Sequence, residues 1–198
     1  MAVNQLEIKR QIFHLFLGVA TVLLLNYNII TAPLMLIGAV KGILLSLLSR
    51  KFRIPIVSWL LDTFERKEDL KTFPGRGAIY YAIGCFIAVA LFPKDIAMAS
   101  ILILAFGDSA SHFAGVHIGK IKHPLNDKKF LEGTLFGFIA AFVAASFVIS
   151  PIEALLASLA AMLIEAVEVK FGSNMVNDNL IIPVLAGVVV YLVRAVSF

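Results

Sequence analysis

Long apolar runs follow one another through almost the whole chain, and lipid leaves few ways to fold them. Hydrocarbon offers backbone N–H and C=O groups no water to bond with, so only helices and closed barrels span a bilayer. The two-residue alternation of barrel strands is absent, which leaves helices. Crossing about 30 Å takes about 20 residues, somewhat fewer where the flanks are amphipathic. Seven runs meet or approach that length: Gln11–Leu25, Ile29–Leu48, Gly77–Phe92, Ile96–Ile118, Leu131–Ser150, Pro151–Val169 and Asn179–Ser197. Composition agrees, with 60% of residues hydrophobic and only 15% charged, where a soluble domain carries about a quarter. The expected fold is all-α, a polytopic membrane protein of about seven transmembrane helices, residues 1–198 forming a single integral membrane domain.

The apolar N-terminus follows Lys9 and Arg10 but shows no small-residue cleavage site, so it is read as a retained helix rather than a signal peptide. Between the second and third runs, Ile56, Val57, Leu60, Leu61 and Phe64 recur at helical spacing beside Trp59 and between basic residues. That pattern describes an amphipathic helix lying in the interface, which either anchors its loop or guides a lipid. Cys85 is the single cysteine and sits within a span, so it packs as a small apolar residue. No internal repeat is evident, which disfavours the inverted-repeat transporter architectures.

With seven spans, all but Lys41, Lys94 and Arg194 of the 17 basic residues fall on one side. The positive-inside rule then places the N-terminus in the cytoplasm and the C-terminus outside. A basic balance confined to membrane-flanking loops suits lipid headgroups, and no nucleic-acid partner is expected; the residues leave the oligomeric state open.

Charges inside the spans are costly, roughly 2.5–3.5 kcal/mol each on insertion scales, and commonly mark sites. Counted from the outer ends, Lys41, Asp108 and Glu165 lie at about the same depth, roughly 18–21 Å in, with His14 near the cytoplasmic edge of the first helix. Lys41 either joins that level or snorkels to the headgroups. Ser111, His112, Gly115 and Gly119 follow Asp108 on one helical face, and Ser111, Gly115 and Gly119 form a small-residue stripe that admits a helix or a ligand. His112 either joins Asp108 on a metal or makes an orienting hydrogen bond.

The segment Lys120–Thr134 carries Lys120, Lys122, Lys128 and Lys129 ahead of a glycine-containing helix start, chemistry suited to a polyphosphate. The same lysines equally suit anionic lipid. Glu132 among them is a candidate for a metal bridging the phosphates. No Gly-x-x-x-x-Gly-Lys-Ser/Thr sequence occurs, so a P-loop site is not expected. Glu165 and Glu168 share a helical face, and Asn177, Asp178 and Asn179 precede the last run. These hard oxygen donors suit Mg²⁺, and Asn-Asp-Asn also suits helix capping.

Together these elements resemble the dolichol kinase family of membrane proteins. The resemblance rests on Gly107-Asp108 with Gly115 and Gly119, on Lys129-x-x-Glu132-Gly133-Thr134, on Glu165-Ala166, and on Asp178-Asn179-Leu180 with Pro183. Arg66-Lys67-Glu68, Gly77, Tyr80, and Lys9-Arg10 with His14 are similar to its earlier elements. Phe130 departs from the pattern, standing where the family often carries Ser or Thr.

The resemblance implies transfer of the γ-phosphate of CTP to a lipid alcohol with a divalent cation, Mg²⁺. It implies Asp108, Lys129, Glu132 and Glu165 as catalytic residues and Asp108, Glu132, Glu165 and Asp178 as metal ligands. Gly115, Gly119, Lys120, Lys122, Lys128, Gly133, Thr134 and Asn179 would hold the nucleotide. The acceptor expected is an isoprenoid alcohol of polyprenol or dolichol type, phosphorylated at the cytoplasmic face. Diacylglycerol as acceptor, or a phosphatidate cytidylyltransferase-like synthase that releases pyrophosphate, is the alternative. A transporter ranks last, because the outer halves of the spans offer no polar path.

Overall fold

The computed structural model describes residues 5–167, 170–171 and 174–196. In chain order it contains α1 (Gln5–Asn26), α2 (Ala32–Ser49), α3 (Pro55–Phe64), α4 (Lys67–Thr72), α5 (Arg76–Leu91) and α6 (Lys94–Ile118). After these come β1 (Lys122–His123), β2 (Asn126–Phe130), α7 (Leu131–Ala145) and α8 (Pro151–Ala166). The chain closes with β3 (Lys170–Phe171), β4 (Asn174–Met175) and α9 (Asp178–Val196).

Helices stand at all seven expected positions, but among the described residues only α1, α2, α6 and α9 are long and apolar enough to cross a membrane by length and composition. The other three, α5, α7 and α8, have 16, 15 and 16 residues. The all-α expectation also needs amending, because two small antiparallel hairpins, β1–β2 and β3–β4, join helices at the basic end. The amphipathic segment is helical as α3, where Phe64 stacks on Phe13 of α1 with ring centroids 4.5 Å apart and Trp59 is exposed.

The central element is α6. Its stretch Ile96–Ala105 is buried throughout, consistent with a helix apolar on every face and surrounded by neighbours. A core of Cys85, Ile101, Leu104, Ile182 and Val190 joins it to α5 and α9. By contrast, α2 leaves most of its large apolar side chains exposed, and α1 exposes Ile12, Phe16, Val19, Leu23 and Leu24, as lipid-facing helices do. The small-residue stripe is filled by a helix. Gly133 and Gly137 of α7 lie against Gly107, Ser111 and Gly115 of α6, so closely that a Cβ on Gly137 would come within 2.8 Å of the Gly107 carbonyl oxygen.

Helix α8 begins with Ser150 and Glu153 in a reciprocal capping box and Pro151 in its first turn. At the end of the molecule away from the hairpins, Arg194 of α9 meets Glu153 of α8 at 2.5 Å and Asp95 of α6 at 2.7 Å. Three helix ends are therefore tied together by one guanidinium.

Candidate active site

Where α8 ends and α9 begins, the backbone itself creates charge. The last carbonyls of a helix lack donors and carry partial negative charge, whereas its first turn favours an anion. Lys129 of β2 reaches both. Its ammonium donates to the backbone carbonyl of Glu165 and to Glu165 Oε1 at 2.5 Å, and lies 3.6 Å from Asp178 Oδ2 in the first turn of α9. Burial pulls the Lys129 ammonium down, but Glu165, Asp178 and Asp108 together raise it above the ordinary lysine value. Glu165 is only 5% exposed; Ser111 donates to its Oε1 at 3.4 Å, while its Oε2 is buried without a partner among the described residues.

These groups line one cavity of about 370 Å³ at the basic end. Asp108 enters it from α6, one turn before Ser111, and Gly115 and Gly133 form part of its floor where α6 and α7 approach. Asn179 joins from α9. Pro183 cannot donate to the Asn179 carbonyl, and Gly84 of α5 backs against that freed oxygen, fixing Asn179 in place. Its side-chain amide then donates to the Gly77 carbonyl at 3.1 Å and meets His14 Nε2 at 3.5 Å.

A second network forms the rim. Glu7 Oε1 accepts from Arg66 Nε at 2.7 Å and from Arg10 Nη1 at 3.0 Å, and His112 Nε2 stands 3.8 Å from Glu7 Oε2. The hydrogen bond from Arg66 to Glu7 holds that guanidinium above its usual value. The sequence reading named Arg10 and Arg66 but missed Glu7. An acid one turn before Arg10, at the basic end of a span, was the available signal.

Of the residues singled out from sequence, Asp108, Gly115, Lys128, Lys129, Gly133, Glu165, Asp178 and Asn179 line the cavity. Arg10, Arg66, Ser111, His112, Phe130 and Asn177 line it as well, whereas Gly119, Lys120, Lys122, Glu132 and Thr134 do not. Glu132 turns back and accepts from the backbone N–H groups of Lys120 and Ile121 at 3.1 and 3.2 Å, closing the hairpin. Thr134 lines a different hollow together with Glu132. The Lys122 ammonium sits 4.2 Å over the Phe130 ring, and Phe130 packs against Gly119 where α6 stops. Lys120 is exposed beside them, and Lys41 is exposed on α2. Glu168 lies outside the described residues.

Comparison with known proteins bears on the family. Over 189 residues the chain is 34% identical to the uncharacterized protein MJ1137 of Methanocaldococcus jannaschii, a match covering 93% of this chain and 92% of that protein. It is 28% identical over 135 residues to the CTP-dependent diacylglycerol kinase 1 of Schizosaccharomyces pombe, covering 60% of each. It is also 28% identical over 134 residues to a probable chloroplastic phytol kinase of Triticum aestivum, covering 59% of this chain and 44% of that one. The chain belongs to the CTP-dependent lipid kinase family that includes dolichol kinase. It spans about half the length of the curated kinases it matches. No family model matches it, and no solved structure does.

The resemblance implies a divalent ion. Among the described residues no three His, Cys, Asp or Glu side chains stand together as a ready metal cage. Mg²⁺ does not require one, since it commonly takes one or two carboxylates and completes its shell with phosphate oxygens and water. Asp108, Asp178 and the unpartnered Glu165 Oε2 provide hard oxygen donors in a single cavity, which fits that habit. Glu132 does not contribute, its carboxylate being turned to the Lys120 and Ile121 amides.

Proposed function

We propose that this chain is a phosphotransferase that moves the γ-phosphate of CTP to the hydroxyl of an isoprenoid alcohol at the cytoplasmic membrane face. The observation that carries the reading is the single cavity shared by Asp108, Glu165, Asp178 and Lys129 at the basic end of an apolar helical protein of this family. CTP as donor is supported by the diacylglycerol kinase relatives, and an isoprenoid acceptor by the phytol kinase relatives. The proposed topology has seven spans forming one integral membrane domain, the N-terminus cytoplasmic and the C-terminus outside, in keeping with the bias of basic residues.

Phosphoryl transfer demands position and charge neutralisation more than covalent help from the protein. Lys128 and Lys129, with Arg10 and Arg66 at the rim, neutralise the triphosphate. Asp108 accepts the acceptor's hydroxyl proton as the alcohol oxygen bonds to the γ-phosphorus; the bond from that phosphorus to the β-phosphate oxygen breaks, and CDP leaves. A Mg²⁺ ion, held by Asp108 or Asp178 with Glu165 and the nucleotide, would neutralise phosphate charge. Glu132 acts at one remove, closing the hairpin that carries the two lysines.

The test is transfer of label. Protein in bilayers receives Mg²⁺ and CTP labelled at the α or the γ phosphate, with isoprenoid alcohols, diacylglycerol or phosphatidate. We expect γ label on an isoprenoid alcohol and CDP as co-product. Label on diacylglycerol would keep the kinase and change its acceptor. Entry of α label into phosphatidate with release of pyrophosphate would replace the kinase by a synthase.

A further inference from the structure

A second hollow of about 460 Å³, almost wholly apolar, lies between α1 and α6. Ile8, Ile12 and Leu15 form one wall, Phe106 and Phe113 the other, and Ala110 with Ala140 of α7 the floor between them. Ile12 and Phe113 are 62% and 55% exposed, so the hollow opens sideways to the surroundings of the helices rather than toward the loops. Its volume falls within the range of about 300–1,000 Å³ usual for ligand sites.

Two observations separate it from an ordinary lipid-facing furrow. First, Glu7, Gln11, His112 and Val116 line both this groove and the polar cavity, so the two are continuous. Two other apolar hollows among the described residues, one between α7 and α8 and one among α1, α2, α3 and α5, share no lining residue with the polar cavity. Second, the junction contains buried polar atoms that make no hydrogen bond among the described residues, Gln11 Oε1 and His112 Nε2, the latter 3.8 Å from Glu7 Oε2. Leaving such atoms unpaired costs on the order of 1–3 kcal/mol each. A hydroxyl both donates and accepts, so one alcohol group passing this point can satisfy either of them.

We propose that the acceptor's hydrocarbon chain lies in the α1–α6 groove and that its hydroxyl passes between Gln11 and His112 into the cavity holding Asp108. This deepens the phosphotransfer reading and rests on it. Among the described residues this groove meets the polar cavity where the two other apolar hollows do not, and one groove holds one chain, so the proposed occupant is a single-chain alcohol rather than a two-chain glyceride. Entry is sideways from the membrane, and the nucleotide arrives separately, from the side of the hairpin.

The experiment fills the groove at Ala110 and Ala140, away from the phosphate-binding groups. In bilayers, Ala110→Trp and Ala140→Trp should raise KM for a diterpenoid alcohol by about tenfold or more, roughly one methylene-sized contact or two. The KM for CTP, and turnover of a five-carbon prenyl alcohol too short to fill the groove, should change by less than about twofold. Equal losses for both alcohols, or none for either, would overturn the assignment.

A second measurement does not depend on turnover. Cys85 is fully buried, so an Ala110→Cys variant presents one reactive thiol. A diterpenoid alcohol should slow its maleimide labelling several-fold and leave a Leu45→Cys control in the neighbouring hollow unaffected. Equal protection at both positions refutes the groove. Protection at Ala110→Cys alone, in a protein that phosphorylates no alcohol, keeps the groove and removes the kinase reading.

Discussion

Lys129 has two roles that substitution can separate. Its ammonium caps the end of α8 and pairs with Glu165, and in the proposed reaction it also meets phosphate. Removing one partner of a buried pair costs on the order of 3–5 kcal/mol, because the other charge stays behind. Lys129→Met should therefore lower thermal stability, and adding Glu165→Gln should restore much of it without restoring turnover. Recovery of activity in that double variant would show the lysine to be structural only. Since its folded pKa is raised, the pairing is fully present below the unfolded lysine value of about 10 and is lost only as pH climbs through the folded value. Between pH 7 and 9, stability should not vary on its account. Asp108→Asn keeps the shape of the side chain and removes its charge, so the protein should insert and melt as before. Turnover should fall by about 10²–10⁴ or more, as for loss of a general base or metal ligand. A folded Asp108→Asn protein with full activity would end that assignment.

Among the elements, α6 and α7 decide how the cavity is shaped. Their closeness depends on glycine, since a methyl on Gly137 would meet Met162, the Gly107 carbonyl and Ser111 together. Overpacking of this kind costs about 1–3 kcal/mol. Gly137→Ala should lower the melting temperature and, by parting α6 from α7 beside Gly133 and Ser111, reduce activity as well. Gly38 on α2 is a suitable control, because nothing lies within 4 Å of a Cβ there. In circular dichroism melts Gly38→Ala should be neutral or slightly stabilising, as alanine is in a helix. The prediction fails if both variants melt alike.

Across the whole molecule, charge is concentrated at two ends with an apolar body between them. One end holds the cavity; the other holds Arg194 between Asp95 and Glu153. The second cluster ties α6, α8 and α9 together where the proposed chemistry does not reach. Arg194→Met should lower the melting temperature by several degrees and leave kcat/KM for either substrate unchanged. A change in kcat/KM at the unaltered fold would mean that the two ends are coupled through α6 or α9.

The sequence by itself determined a helical membrane protein with a polar site at its basic end. Apolar runs admit helices and little else in lipid, and a carboxylate such as Asp108 is too costly there to stand without a purpose. Spacing was enough to align Asp108 with Ser111 and Gly115, because helical geometry converts spacing directly into a face. It did not carry across the hairpin. Lys129 and Glu132 are three residues apart, yet β2 ends between them; one side chain enters the cavity and the other folds back on the Lys120 and Ile121 amides. Nor did depth along a span place Lys41, whose helix leaves it exposed while Asp108 and Glu165 turn inward. Glu7 pairs with Arg10 one turn on, but it is joined to the rest of the rim through Arg66 and His112, far away in the chain. Periodicity fixes which face of an element is polar; which faces meet depends on packing between elements distant in sequence, and only the tertiary structure decides that.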